Sequence, residues 1–136
     1  MDLYAETILE HYRHPQGKNL LKTKTVDHDE VNLSCGDSLH IQLFIENNTV
    51  KEIGWDGTGC AISQAAMSIL WEELQEKSIQ DIEKLRKEDM YKLLGVPVGP
   101  RRFKCALLCL HTLKNALRKA EGKEPQSWLE TVEIEN

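Results

Sequence analysis

The chain holds four cysteines, and three of them stand where an element of structure should begin or end. Cys35 lies in Ser34-Cys35-Gly36-Asp37, two residues before a carboxylate; Cys60 closes the run Gly57-Thr58-Gly59-Cys60; Cys105 follows Arg101, Arg102 and Lys104. Thiolates bind soft metals and act as sulfur nucleophiles, and a helix N-terminus or a nearby cation favours the anion. Cys60 and Cys105, each expected at a helix start, should therefore ionise more readily than a free thiol. Gly36, Gly57 and Gly59 would let backbone amides approach an ion or a sulfur. The competing reading is that these are ordinary core thiols, which are common. No CxxC pair decides the matter, so on spacing alone a shared metal site and unrelated core cysteines stay equally open. Cys109, one helical turn after Cys105, reads as a core filler. His11, His14, His28 and His40 read as surface or packing residues, and His111 is assigned no role.

The elements that would carry these residues follow from hydrophobic spacing. Leu39, Ile41, Leu43 and Ile45 alternate along one strand, Asn47-Asn48 supplies a turn, and Val50 to Trp55 returns as the second strand of a hairpin. Val26 to Val31 is a weaker third strand whose acidic residues suit an edge. After Cys60 the apolar residues Ile62, Ala65, Ala66, Ile69, Leu70 and Leu74 take the helical period, which predicts a helix that covers the sheet. Ser78 is placed to cap a helix over 79–86, and a further turn would hold Met90, Leu93 and Leu94 before Gly95-Val96-Pro97-Val98-Gly99-Pro100 breaks the chain. A last helix should begin near Arg101 and run to about Ala120, with Gly122 as its stop. A short N-terminal helix, ended by His14-Pro15-Gln16-Gly17, would dock on the body or on a partner, with Leu3 and Tyr4 as candidate partner contacts. Trp55 and Trp71 read as core or edge packing, and the charged run Glu72 to Lys92 as a solvated helix face.

Together these predict an α+β fold: a three-stranded antiparallel sheet with helices packed on one face, in one domain over 1–136, with a core to about residue 120 and a C-terminal tail over 121–136. In that tail only Trp128 stands out, as a residue that could pack back. A chain of 136 residues can bury a real core. With 17 basic and 22 acidic residues its formal charge is -5, and no basic run interleaved with aromatics is present, which argues against nucleic acid and membrane surfaces as partners. The N-terminus lacks the basic start and apolar run of a signal peptide, so the expected location is cytoplasmic, where thiols stay reduced.

Four stretches are more specific than this: ILEHYRHP over 8–15, SCGD over 34–37, DGTGCAISQAAMS over 56–68 and RFKCALL over 102–108. In that order they resemble the iron-sulfur cluster assembly scaffold family, known as IscU, SufU and the NifU N-terminal domain. The resemblance implies that Cys35, Cys60 and Cys105 are ligands to zinc or to a [2Fe-2S] cluster, with Asp37 as the family's aspartate beside them. It implies cysteine desulfurase and iron-sulfur acceptor proteins as partners, and a persulfide-accepting role for which Cys105 is the candidate. Lys104 stands where IscU-type members have histidine, so Arg102-Phe103-Lys104-Cys105 is similar to the SufU type. Protonated lysine is a poor ligand, which leaves Asp37 as the fourth. The stretch between Cys60 and Cys105 is too short for the SufU insertion, and the chaperone-binding motif is reduced to Val96-Pro97-Val98, so chaperone docking is not carried over.

Three thiolates and a carboxylate around a divalent ion carry a net charge of about -2, which Arg102 and Lys104 are placed to offset. The harder oxygen ligand should exchange more easily than sulfur, making Asp37 the gate and Arg102 its charge partner once released. Three functions follow: a non-catalytic scaffold, a zinc-dependent sulfurtransferase that stimulates a desulfurase, and a domain with purely structural zinc. Whether copies join as a homo-oligomer around a cluster stays open.

Overall fold

The computed structural model describes residues 3–100 and 102–132, with side chains from residue 5 onward. The Leu3 and Tyr4 side chains and Arg101 lie outside the described residues. The order of elements is α1 (Leu3–Arg13), β1 (Val26–Asn32), β2 (Asp37–Glu46), β3 (Thr49–Thr58), α2 (Ala61–Glu73), α3 (Ile79–Glu83), α4 (Lys87–Leu94), α5 (Phe103–Ala120) and α6 (Trp128–Thr131).

The strands form one antiparallel sheet in the order β1-β2-β3. Its register follows from the alternation in β2, whose Leu39, Ile41 and Leu43 are fully buried and face Gly57, Trp55 and Ile53 of β3. Burying each such aliphatic side chain contributes about 1.5–3 kcal/mol, and a one-residue slip would turn all of them to the opposite face. Asn47 and Asn48 close the hairpin at φ 51° and 60°, left-handed values that asparagine tolerates and that match the strand twist. The acidic strand β1 is at the edge, as its composition predicts.

The helices lie on one face of this sheet, but not in the arrangement that periodicity suggested. The helix lying across β1 and β2 is α5, whereas α2 packs mainly against α1 and α5 and meets the sheet chiefly at β3. The reason is visible in α2 itself: Ser63 to Leu70 are all buried, so these two turns have no solvent face and occupy the middle of the helical layer. Helix α1 docks on it through Ile8 and through a 2.7 Å hydrogen bond between His11 Nδ1 and Ser68 Oγ. Ser78 caps α3 by accepting the Asp81 N–H at 3.1 Å, although that helix ends at Glu83 rather than Arg86.

The tail packs back. Trp128 stacks on His111 of α5 with ring centroids 4.2 Å apart, and His111 Nδ1 meets Thr131 Oγ1 at 2.6 Å. On its other side His111 faces Glu30 of β1 at 3.6 Å, so this histidine joins sheet, helix and tail. No helix among the described residues is long and apolar enough to cross a membrane.

Candidate metal and sulfur site

The β1–β2 turn carries the first cysteine. Asn32 ends β1 and pairs with Asp37 at the start of β2, and its carbonyl accepts the N–H groups of Cys35 and Gly36 at 3.3 and 2.9 Å. Gly36 sits at φ 72°, a left-handed conformation that lets the turn lift Cys35 to an exposed position. Asp37 points inward and is 1 % exposed.

The second cysteine is fixed to that carboxylate. Cys60 is the residue before α2, in extended backbone, and its N–H donates to Asp37 Oδ1 at 2.9 Å. Gly59 makes this approach feasible, because a Cβ there would collide with the Asp37 carboxylate. Cys105 comes from the first turn of α5 and is 1 % exposed. Its Sγ lies 3.1 Å from Cys35 Sγ, and the Asn32 amide nitrogen stands 4.0 Å from it and 3.5 Å from Asp37 Oδ2.

One ligand atom each from Cys35, Asp37 and Cys105 falls within 4.8 Å of the other two. Cys60 is half-buried beside them, outside that mutual cluster but on the wall of the same open cleft. The cleft, about 660 Å³, is lined by Asn32, Ser34, the three cysteines, Arg102 and Lys104 among others. Arg102 is exposed at the rim and, among the described residues, forms no ion pair with Asp37, whose carboxylate is held by Cys60 and Asn32 instead. Lys104 Nζ reaches over the Trp128 ring, 5.7 Å from its centroid, which draws the tail to the edge of the site.

The electrostatics of Cys105 run against the expectation from its helix position. Burial, with added hydrogen bonding to Cys35, Cys60 and Asp37, pushes its thiol well above the ordinary range. Desolvation outweighs the helix end because the sulfur lies under the Cys35 turn rather than in solvent. An incoming metal ion must therefore displace that proton, as metal binding by thiols generally does. Three sulfurs and one carboxylate oxygen, open on one side, are a donor set suited to zinc or to iron-sulfur chemistry.

Cys109 is fully buried, and burial pushes its thiol up to about 12. Its Sγ lies 3.6 Å from the Ala106 carbonyl, away from the cleft, as a core filler. Asn32 was not apparent from sequence. The signal that could have found it is register: it is the residue directly across the hairpin from Asp37.

Comparison with known proteins places the chain in a family. The family model for the NifU-like N terminal domain matches residues 3–127. The iron-sulfur cluster assembly scaffold protein IscU of Thermotoga maritima is 32% identical over 133 residues, covering 86% of this chain and 94% of the relative. The zinc-dependent sulfurtransferase SufU of Bacillus subtilis is 28% identical, covering 88% of this chain and 92% of the relative. Among solved structures, a SUF-system scaffold from Fervidobacterium islandicum superposes with a TM-score of 0.73 at 26% identity, over 82% of this chain and 94% of that one. A NifU-like N-terminal protein from Brucella abortus shares the fold with a TM-score of 0.74 at 18% identity, over 90% and 96% of the two chains. The chain belongs to the NifU-like N-terminal domain family.

Proposed function

We propose that this protein is an iron-sulfur cluster assembly scaffold: it accepts sulfur from a cysteine desulfurase, holds iron or a [2Fe-2S] cluster at Cys35, Asp37, Cys60 and Cys105, and passes the product to acceptor proteins. The observation that carries this reading is the convergence of Cys35, Asp37 and Cys105 within 4.8 Å, beside an open cleft that the three cysteines line. A structural zinc site is normally closed, whereas an open one leaves room for a group to enter and leave.

Sulfur transfer follows from the order in which a donor meets the thiols. Cys35 is exposed, so its thiolate attacks the terminal sulfur of the donor persulfide; a new S–S bond forms, the donor's S–S bond breaks, and the donor thiolate takes up a proton. Cys105 Sγ lies 3.1 Å behind it and repeats the exchange, ending with the persulfide on Cys105 and a thiol on Cys35. Asp37 is the exchangeable arm. When bound, a divalent ion would supply positive charge that keeps the thiolates ionised without a base. Arg102 and Lys104 supply further positive charge at the rim.

The second reading is a zinc-dependent sulfurtransferase that stimulates a desulfurase, and Lys104, standing beside Cys105 in place of a histidine ligand, favours it. A cytoplasmic location is part of this proposal. One preparation separates the readings. Protein purified without added metal is assayed for zinc and then reconstituted anaerobically with iron, cysteine and a desulfurase. A charge-transfer chromophore that Cys35→Ser abolishes supports the scaffold. Tight zinc with faster desulfurase turnover supports the sulfurtransferase. Unfolding by chelator with no effect on the desulfurase would leave only structural zinc and overturn both.

A further inference from the structure

Asn32 has a place in the site that the four ligand residues do not account for. It is a polar side chain only 3 % exposed, at the end of an edge strand where an apolar residue would pack without needing partners. Its amide nitrogen carries two hydrogens and faces two acceptors, Asp37 Oδ2 at 3.5 Å and Cys105 Sγ at 4.0 Å. Both separations are long for hydrogen bonds, and such bonds shorten and strengthen when the acceptor carries negative charge. Its backbone carbonyl also holds the turn that presents Cys35. This one residue therefore touches all three of the groups that cluster within 4.8 Å, Cys35, Asp37 and Cys105.

We propose that Asn32 is a positioning residue that donates one N–H to the Cys105 sulfur in its anionic, metal- or persulfide-bearing form and the other to the Asp37 carboxylate. The amide thus couples the exchangeable arm to the buried sulfur. An N–H···S bond withdraws electron density from the thiolate, and the residues that orient metal ligands in this way typically change metal affinity about 10- to 100-fold when removed. The inference rests on the proposed reading of Cys35, Asp37, Cys60 and Cys105 as one metal site.

The test uses the full chain, with Co(II) as a spectroscopic probe and Zn(II) affinity measured by competition with a chromophoric chelator. Asn32→Leu keeps the side chain's shape and removes both donors; Asn32→Ala removes the bulk as well. Folding of the metal-free variants is checked first by circular dichroism. The expected result is a folded variant whose sulfur-to-cobalt charge-transfer band moves to longer wavelength, with zinc affinity about 10- to 100-fold weaker. A band at the native position overturns the inference even if affinity falls, because a purely structural role would weaken binding without changing the sulfur. Failure of both variants to fold also overturns it, since Asn32 would then be a folding residue. If the native chain itself gives no sulfur-to-cobalt band, the metal-site reading fails; a native band with unaltered variants removes only the role of Asn32.

Discussion

Replacing Asp37 with alanine separates two tasks that one carboxylate performs. In the native chain Asp37 is 1 % exposed, and Oδ1 accepts the Cys60 N–H at 2.9 Å. Truncation leaves that N–H without its partner where α2 begins, and hydrogen bonds to charged acceptors contribute about 1.5–3 kcal/mol. The Asn32 contact at 3.5 Å adds little at that length. For a chain of 136 residues, Tm moves by roughly 3–4 °C per kcal/mol, so metal-free Asp37→Ala should melt roughly 5–12 °C below the native protein. Asp37→Asn keeps an oxygen facing Cys60 and should recover about half of the loss, because a neutral acceptor makes the weaker bond. Zinc should stay bound to Asp37→Ala through the three thiolates, while the rate of desulfurase-driven sulfur transfer or cluster release departs from native. Calorimetry of the metal-free proteins, zinc stoichiometry and a desulfurase-coupled assay read the three quantities. An unchanged Tm would refute the role of Asp37 in holding Cys60, and a native transfer rate would refute its role as the exchangeable arm.

Three further outcomes follow from the same packing. Gly59→Ala forces a Cβ against the Asp37 carboxylate and should cost about 1–3 kcal/mol in a denaturant titration, with transfer altered in the same direction as in Asp37→Ala. Burial lowers the His111 pKa from its reference value of 6.5, reinforced by His28 and opposed by Glu30. The unfolded chain therefore takes up a proton that the folded chain refuses, so stability should fall as pH drops below about 6.5 and until the folded pKa is passed, and His111→Gln should flatten that fall in pH-dependent melts. Cys109→Ala should lower stability by about 1 kcal/mol while zinc stoichiometry stays native; loss of a metal equivalent would show Cys109 to be a ligand instead.

What was legible in the sequence was local. The alternation of Leu39, Ile41 and Leu43, the Asn47-Asn48 turn and the Ser78 cap each depend on neighbours a few residues away, and all appear in the fold. The cysteines at element junctions were legible for the same reason. Three features depend instead on which elements become neighbours. The apolar period of α2 predicts a cover for the sheet, but the continuous burial of Ser63 to Leu70 places the helix between α1 and α5. Cys105 was expected to be an activated thiol from its helix start and adjacent cations, yet the Cys35 turn folded over it makes desolvation the larger effect. Asn32 and the His111–Trp128 stack become visible only once the hairpin register and the return of the tail are known.

Cys35, Cys60, Cys105 and Asp37 are proposed to hold one metal ion together. X-ray absorption on the zinc-loaded protein tests it directly. Three sulfur neighbours at about 2.3 Å and one oxygen at about 2.0–2.2 Å are expected, with the oxygen contribution altered in Asp37→Ala. A zinc shell with two sulfurs or fewer, or one that Asp37→Ala leaves unaltered, would contradict it.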